Sequence, residues 1–580
     1  MKQTVAKKSR RCASVSRIPP QNDSAEPVSV DKRRPLNLES VPRARWFLIA
    51  LTCACLLPFL GEAFHIDDAL FLWAAKHIAQ HPLDPYGFSV VWYGTAMPMS
   101  EVTKNPPLAA YFLALVGSWA GWSEQVLHLA SLIFSMAVIL GVYQLGRDMT
   151  RSPVLAACLT LAAPGFLVSA TSVMSDVPML AAWLFAVIFW RRGIREGKLG
   201  WFAVSSALIG VCSLTKYFGV SLIPLLFLYS VWSKRRVGIW SLFLVPPLAV
   251  LVGYHVWTAS LYGHGLLSGL AAYVSYARGY HPASTLGTLL VGLSFVGGCT
   301  LSALLFVPRM WSLRWILVTC TVAVLGTAAI VFGWVSVENL FPEQHRTLLA
   351  VQLGLFLLGG ISTLSLAFSD FWRYRDADSL LLAAWVLGTF VFAALLNWTV
   401  NGRSVLPMIP AVALLLVRRL NDLQRPLSFY RTVAPVVVCL GVSLWVTSGD
   451  AALANSARTA AVEVQSRNRR ELKRILFSGH WGFQYYMESL GGQAVDSQRT
   501  QPTMLDLLVR AENNTNQVLV QRGVPAGAIS IGINCGVTTM RPELGAGFYS
   551  SVWGPVPYAF ASVPEEQYDF FRFDGATDGR

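Results

Sequence analysis

Residues 201–232 read WFAVSSALIGVCSLTKYFGVSLIPLLFLYSVW, an apolar run broken only by Lys216-Tyr217. Basic residues bound it on both sides: Lys198 before it, Lys234, Arg235 and Arg236 after it. Lys and Arg collect in the cytoplasmic loops of membrane proteins, so both ends of this run belong on one side. One span would put them on opposite sides. Two short helices that rise and return satisfy the charges and place Lys216 near the outer apex, a costly position for a cation without a partner.

The same rule orders the rest of the chain. Further spans are expected at about 46–63, 124–146, 153–170, 178–190, 238–260, 284–307, 315–336, 347–369, 379–397, 404–417 and 432–449, thirteen with the hairpin. The apolar piece 107–122 is marginal in length. If it spanned, Arg147, Arg151, Arg191, Arg192, Arg195 and Lys198 would all lie outside, so it is read as interfacial. The sequence HIDDALFLWAAKHIAQHPLDPYGF after span one then lies outside. It holds a short amphipathic helix from about Asp68 to Gln80, with Leu70, Trp73, Ala74 and His77 at helical spacing, suited to the membrane surface.

Composition agrees. The chain has 580 residues, 54% hydrophobic and 13% charged, which excludes an ordinary soluble globule. A net charge of +14 comes from short inter-span loops and the N-terminus rather than from a basic stripe, which argues against nucleic-acid binding. The first 45 residues carry eleven Lys/Arg against four acids and no apolar period, and are expected to be a disordered cytoplasmic tail. The first apolar stretch lacks a signal-peptide cleavage site and is read as a retained anchor. The nine cysteines have neither disulfide-framework nor zinc spacing. No internal repeat is evident.

The expected fold is thus a polytopic α-helical membrane protein of about thirteen transmembrane helices. Residues 46–449 form the membrane domain, with interfacial helices in an outer loop at 64–122, and residues 450–580 form a small extracytoplasmic α/β domain. In that last region Arg474–Ser478, Gln517–Gln521, Ala528–Ile533 and Tyr568–Phe573 read as strands, and Trp481–Leu490 and Met504–Ala511 as helices.

On the outer face of the membrane domain only six basic residues remain: Lys76, Lys104, Lys216, Arg278, Arg346 and Arg403. An anionic ligand such as a lipid phosphate would keep them there; snorkelling to water at helix ends is the plainer explanation, weakest for Lys216. Asp67 and Asp68 meet the surface helix together. Adjacent carboxylates hold at least one pKa up, which suits proton abstraction, while a helix cap is the alternative. Asp176, in SVMSDVPML, has the same two readings. In TKNPPLAAYF the double proline can start the interfacial helix and turn Lys104 and Asn105 outward.

These strings resemble a known family. Asp67-Asp68 before an amphipathic helix, Lys104-Asn-Pro-Pro-Leu, Met174-Ser-Asp-Val-Pro, Leu214-Thr-Lys-Tyr and Asn401-Gly-Arg-Ser-Val-Leu-Pro occur in the order seen in C-type glycosyltransferases. The likeness, over about residues 46–420, is to the group of protein O-mannosyltransferases and lipid A aminoarabinose transferases. It implies a polyprenyl-phosphate sugar donor, an extracytoplasmic acceptor and inversion. Asp67 matches the family's general base, and Asp68 stands where the family usually has Glu. Asp176 matches a second outer-loop acid. Lys104 or Asn105 would contact donor phosphate or sugar, Lys216-Tyr217 and Arg403 the region of the lipid phosphate; Ser404 follows where the family often has Tyr. Asp176 and His65 could hold a divalent ion, though without firm ligand spacing. A transporter and a polyprenyl-pyrophosphate polymer ligase are the rival readings.

Overall fold

Pro, Gly and basic residues punctuate the apolar stretches into helices. The computed structural model describes residues 41–280, 283–339, 341–424, 427–468, 474–515 and 523–573. In chain order the main helices are α1 (Val41–Leu56), α2 (Asp68–Gln80), α3 (Leu108–Ala120), α4 (Glu124–Met149), α5 (Pro153–Leu161), α6 (Pro164–Ala170), α7 (Asp176–Glu196), α8 (Leu199–Thr215) and α9 (Leu222–Lys234). They continue with α10 (Val245–Tyr262), α11 (Leu266–Tyr280), α12 (Thr285–Cys299), α13 (Leu313–Val331), α14 (Arg346–Tyr374), α15 (Ala377–Val391), α16 (Ile409–Asn421), α17 (Phe429–Asn468) and α18 (Trp481–Ser489). Residues Arg45–Arg580 form one compact unit. Of the other, Met1–Ala44, only the first turn of α1 is described, so the expected tail lies almost wholly outside the described residues.

Each expected span falls on a helix, and the protein is a polytopic helical membrane protein. Among the described residues ten helical stretches are long and apolar enough to cross a bilayer, or eleven if α5 and α6, bent by 64°, count as one. The bend falls where Pro164 removes a backbone donor. The others, α8 and α12, have 17 and 15 residues, short of the roughly 20 a bilayer core asks for. Nearly every residue of the stretch Gly402–Asn421 is buried, at the centre of the bundle, whereas most of α13 is not and turns its side chains outward.

The 201–232 run folds as two helices. Lys216 has an extended backbone at the break between α8 and the 3-10 turn Tyr217–Ser221 that leads into α9. Only glycine fits next to that break: a Cβ on Gly219 would lie 2.5 Å from the Cys212 carbonyl carbon.

Segment 64–122 holds the expected helices α2 and α3. At 13 residues α3 is about 20 Å long, short of the roughly 30 Å of a hydrocarbon core. The buried face of α2 differs from the expected one: Phe71, Leu72, Ala75 and Ile78 are buried along with Ala74, because α3 and α18 both pack on this helix. Between them a hairpin of β1 (Ser89–Trp92) and β2 (Thr95–Pro98) turns at Tyr93-Gly94, both at positive φ.

The expected boundary at residue 450 falls inside a helix. Helix α17 runs unbroken for 40 residues through that boundary. Beyond it β3 (Ile475–Ser478), β4 (Gln493–Ala494), β5 (Leu507–Ala511), β6 (Gly523–Ile531) and β7 (Glu566–Phe573) form a mixed sheet in the order β4-β3-β5-β7-β6. Only β3 pairs in parallel, with β4 and β5. The expected helix 504–511 is a correction: Leu507–Ala511 is a strand, because pairing with both β3 and β7 outweighs its local helical pattern. The expected strand 517–521 lies outside the described residues. The eight described cysteines are free thiols.

Candidate active site

One cavity of about 210 Å³ gathers seven of the residues singled out in the sequence. Asp67, Lys104, Asn105, Asp176, Lys216, Tyr217 and Arg403 all line it. Each arrives by a local device. Pro106-Pro107 end the loop carrying Lys104 and Asn105 and start α3. Asp176 opens α7, and Lys216 occupies the break after α8. Arg403 follows Asn401, whose side chain caps the short helix Gly402–Val405 by accepting from the Ser404 amide at 2.7 Å. A π-helical turn, Phe392–Leu396, brings Phe392 and Asn397 to the same wall.

Asp68 does not line the cavity. It is 1% exposed, and its carboxylate accepts backbone bonds from His65 at 2.9 Å and Val173 at 3.0 Å. These bonds hold a turn in which Ile66, a β-branched residue, has a φ of +48°. Such a conformation costs about 1–3 kcal/mol and persists only where surrounding bonds impose it. Asp68 therefore shapes the turn that presents Asp67. Burial raises the Asp68 carboxyl to about 7, with neighbouring Asp67 adding a smaller push. The raised carboxyl of the adjacent pair is thus the one turned away from the cavity.

The cap reading is not met at Asp67, whose side chain makes no capping bond to α2. Its Oδ2 instead accepts from Arg403 Nη2 at 2.9 Å. Asp176 pairs with Lys216. Two cations and two carboxylates thus stand in one cavity, with Lys104 as a third cation over the Tyr273 ring at 4.8 Å. Burial lowers the Lys104 ammonium, against the opposing pull of Glu101. Arg403 is further held by Met174, with Nη1 2.7 Å from Sδ, while its buried Nε–H has no protein acceptor. Lys76 stands elsewhere, donating to the Tyr485 hydroxyl at 3.0 Å.

The divalent-ion pairing of Asp176 with His65 does not form. Asp176 faces the cavity; His65 is buried against the Tyr549 ring, centroids 5.5 Å apart, and burial pushes its imidazole down to about 3. Among the described residues no group of three or more His, Cys, Asp or Glu side chains is placed to hold a metal.

Sequence reading missed the cavity's aromatic wall. Trp92 and Tyr93 at the hairpin tip, Tyr273 on α11, and Trp398 also line it. The β-branched and aromatic run SVVW before Tyr93-Gly94 was the available hairpin signal. Also missed was the brace from the C-terminal region: the Phe548 carbonyl accepts from the Gly402 amide at 2.7 Å, and Ser551 bonds Val400 in both directions, at 2.8 and 3.0 Å. A Cβ at Gly402 would lie 2.4 Å from the Phe548 ring, so this contact requires glycine.

Residues 104–262 match the family described as dolichyl-phosphate-mannose-protein mannosyltransferase. The match spans 159 of the chain's 580 residues. The matched segment supplies Lys104, Asn105, Asp176, Lys216 and Tyr217 to the cavity; Asp67 and Arg403 come from outside it. Among solved structures, the chain is similar to ArnT from Cupriavidus metallidurans bound to undecaprenyl phosphate, at 15% identity and a TM-score of 0.41 over 80% of this chain and 93% of that one. Archaeal oligosaccharyltransferase AglB from Archaeoglobus fulgidus, in complex with an inhibitory peptide and a dolichol-phosphate, is similar at 13% identity and a TM-score of 0.45 over 78% and 64%. Arabinosyltransferase EmbB from Mycobacterium smegmatis is similar at 15% identity and a TM-score of 0.33 over 80% and 44%. No curated protein matches the chain.

Proposed function

We propose that the protein transfers a sugar from a polyprenyl-phosphate donor to a hydroxyl acceptor outside the cytoplasm, with inversion at the sugar carbon. The observation that carries this reading is the meeting of Asp67, Asp176, Lys104, Lys216 and Arg403 in one cavity, three of them within the matched segment. Phosphate is already a good leaving group, so the reaction asks for cations over the developing charge more than for an acid. Lys216 and Arg403 have the right chemistry, since charge-assisted bonds to phosphate strengthen where water is excluded. In the exchange, the phosphate takes over cations that otherwise pair with Asp176 and Asp67. Asp67 then accepts the acceptor's proton from the face of the sugar opposite the phosphate, the geometry that gives inversion.

An apolar groove of about 300 Å³ between α3, α8 and α10 supports a lipid-linked donor. It is lined by Leu108, Tyr111, Leu214, Tyr254 and Trp257, and the Tyr254 hydroxyl meets that of Tyr217, a residue of the cavity wall, at 3.5 Å.

The deciding experiment gives the purified chain a polyprenyl monophosphate sugar and, separately, the pyrophosphate-linked sugar. Consumption of the first with release of polyprenyl phosphate is expected; consumption of the second alone would favour the polymer ligase, and consumption of neither counts against the proposal. For orientation, reporters after Thr150 and Gly197 should read cytoplasmic, and those after Ser175 and at the C-terminus extracytoplasmic. If the reporters after Thr150 and Ser175 exchange sides, 107–122 crosses the membrane after all.

A further inference from the structure

Arg403 is held from the C-terminal region as well as from the membrane domain. Its guanidinium carbon lies 5.7 Å from the centroid of the Tyr549 ring. Tyr549 is buried, lies outside the cavity lining, and donates its hydroxyl to Asp450 Oδ2 at 2.7 Å. Asp450 is 1% exposed, and its other oxygen accepts from the Thr539 hydroxyl. The neighbouring Phe548 carbonyl is bonded to the Gly402 amide, one residue before Arg403.

These contacts do two things. A hydroxyl that donates to a carboxylate fixes the plane of its ring and pushes electron density into the face that a cation meets. The long arginine stem, costly in rotamer entropy, thereby loses most of its alternatives before any ligand arrives. With Asp67, Met174 and Tyr549 around it, the guanidinium still has a buried Nε–H without a protein acceptor.

We propose that Tyr549, anchored by Asp450, is a positioning residue that holds Arg403 for the donor's phosphate, so that the C-terminal region completes the active site. The inference rests on the phosphate role proposed above for Arg403. It assigns the segment around residues 539–551 a part in donor binding that no motif in it announces.

The test is a double-mutant cycle on the full-length chain in nanodiscs, with undecaprenyl monophosphate as the probe and its dissociation constant as the readout. Tyr549→Leu removes ring and hydroxyl and should weaken binding about three- to tenfold, the range of a desolvated cation–π contact. Tyr549→Phe keeps the ring, loses only the bond to Asp450, and should weaken binding less; it keeps the test open if the leucine variant fails to fold. In an Arg403→Ala background neither change should weaken binding further, which a general loosening of the fold would not produce. Wild-type affinity in folded Tyr549→Leu and Tyr549→Phe, or an equal loss with and without Arg403, overturns the positioning role. Wild-type affinity in Arg403→Ala overturns the phosphate reading beneath it.

Discussion

Helix α7 and the Arg403 helix run into α16 each carry charge at both ends, and the two ends differ. At one end Asp176 and Arg403 stand on the cavity. About four turns on, Arg191 and Arg418 stand in a second set of ion pairs. There Arg191, 1% exposed, grips Asp378 with two bonds of 3.1 and 2.6 Å and Asp148 with a third of 3.2 Å. Arg418 pairs with Asp370 at 3.2 Å, bonds Ser379 at 2.8 Å and lies over the Tyr374 ring. The residue types are the same. The end at Arg191 spends all three guanidinium nitrogens on protein acceptors, whereas the cavity end leaves Arg403 Nε unpartnered and opens its pairs onto space. Arginine–carboxylate pairing alone therefore does not mark a site; the adjoining cavity and the unspent donor do.

The contrast is broken most severely by removing Arg191. Three charge-assisted bonds of a buried guanidinium would be lost, but Asp148 and Asp378 are partly exposed and Arg195 still reaches both, at 2.9 and 3.8 Å, so the cost is about 1.5–3 kcal/mol. Arg191→Ala should lose yield and thermal stability, while whatever folds should bind undecaprenyl phosphate as well as wild type. Reduced affinity in that folded fraction would mean the two ends are coupled.

At the cavity end the effects should fall on chemistry and binding. Asp67→Asn cannot accept a proton though it keeps the size of Asp, so turnover should drop by about two orders of magnitude with normal folding. Near-normal turnover would move the base to Asp176 or Glu101. Lys216→Ala and Arg403→Ala should each weaken undecaprenyl phosphate binding by roughly tenfold, the scale of one charge-assisted bond. Lys76→Ala should be mild, since Lys76 bonds Tyr485 and lies outside the cavity lining. A full-strength double variant of Lys216 and Arg403 would remove the phosphate role.

What could be read in the sequence follows the range of the interactions involved. The helices were legible because apolar length and loop charge are local, and so were Lys104, Asp176, Lys216 and Arg403, each set by a short string with its own Pro, Gly or cap. The pairing of Asp67 with Arg403 joins residues 336 positions apart and leaves no local trace. The same holds for Tyr549 and Asp450, which look like ordinary residues of a region without motifs. Leu507–Ala511 was misread because its local pattern is helical and only its neighbours in the sheet make it a strand. Asp67 is set apart from Asp68 in the sequence by its match to the family's base, whereas the strained turn at Ile66 that turns Asp68 away from the cavity leaves no local signal.

That last distinction gives the smallest and most specific prediction. Asp68→Asn should lower turnover far less than Asp67→Asn, because Asp68 shapes a turn and does not touch the cavity. Its signature lies in stability against pH. Burial raises the Asp68 carboxyl from 3.8 to about 7, so the folded state holds a proton that the unfolded chain releases. The contribution is complete below about 3.8 and is lost as pH rises through about 7, where a buried negative charge must be carried. Asparagine has no such proton to lose. Unfolding temperatures of wild type and Asp68→Asn should therefore shift in favour of the variant between pH 5 and pH 8, whatever fixed cost the amide imposes on the turn. A difference that stays constant over that range would mean that Asp68 remains ionised in the folded protein, stabilised by its two backbone donors.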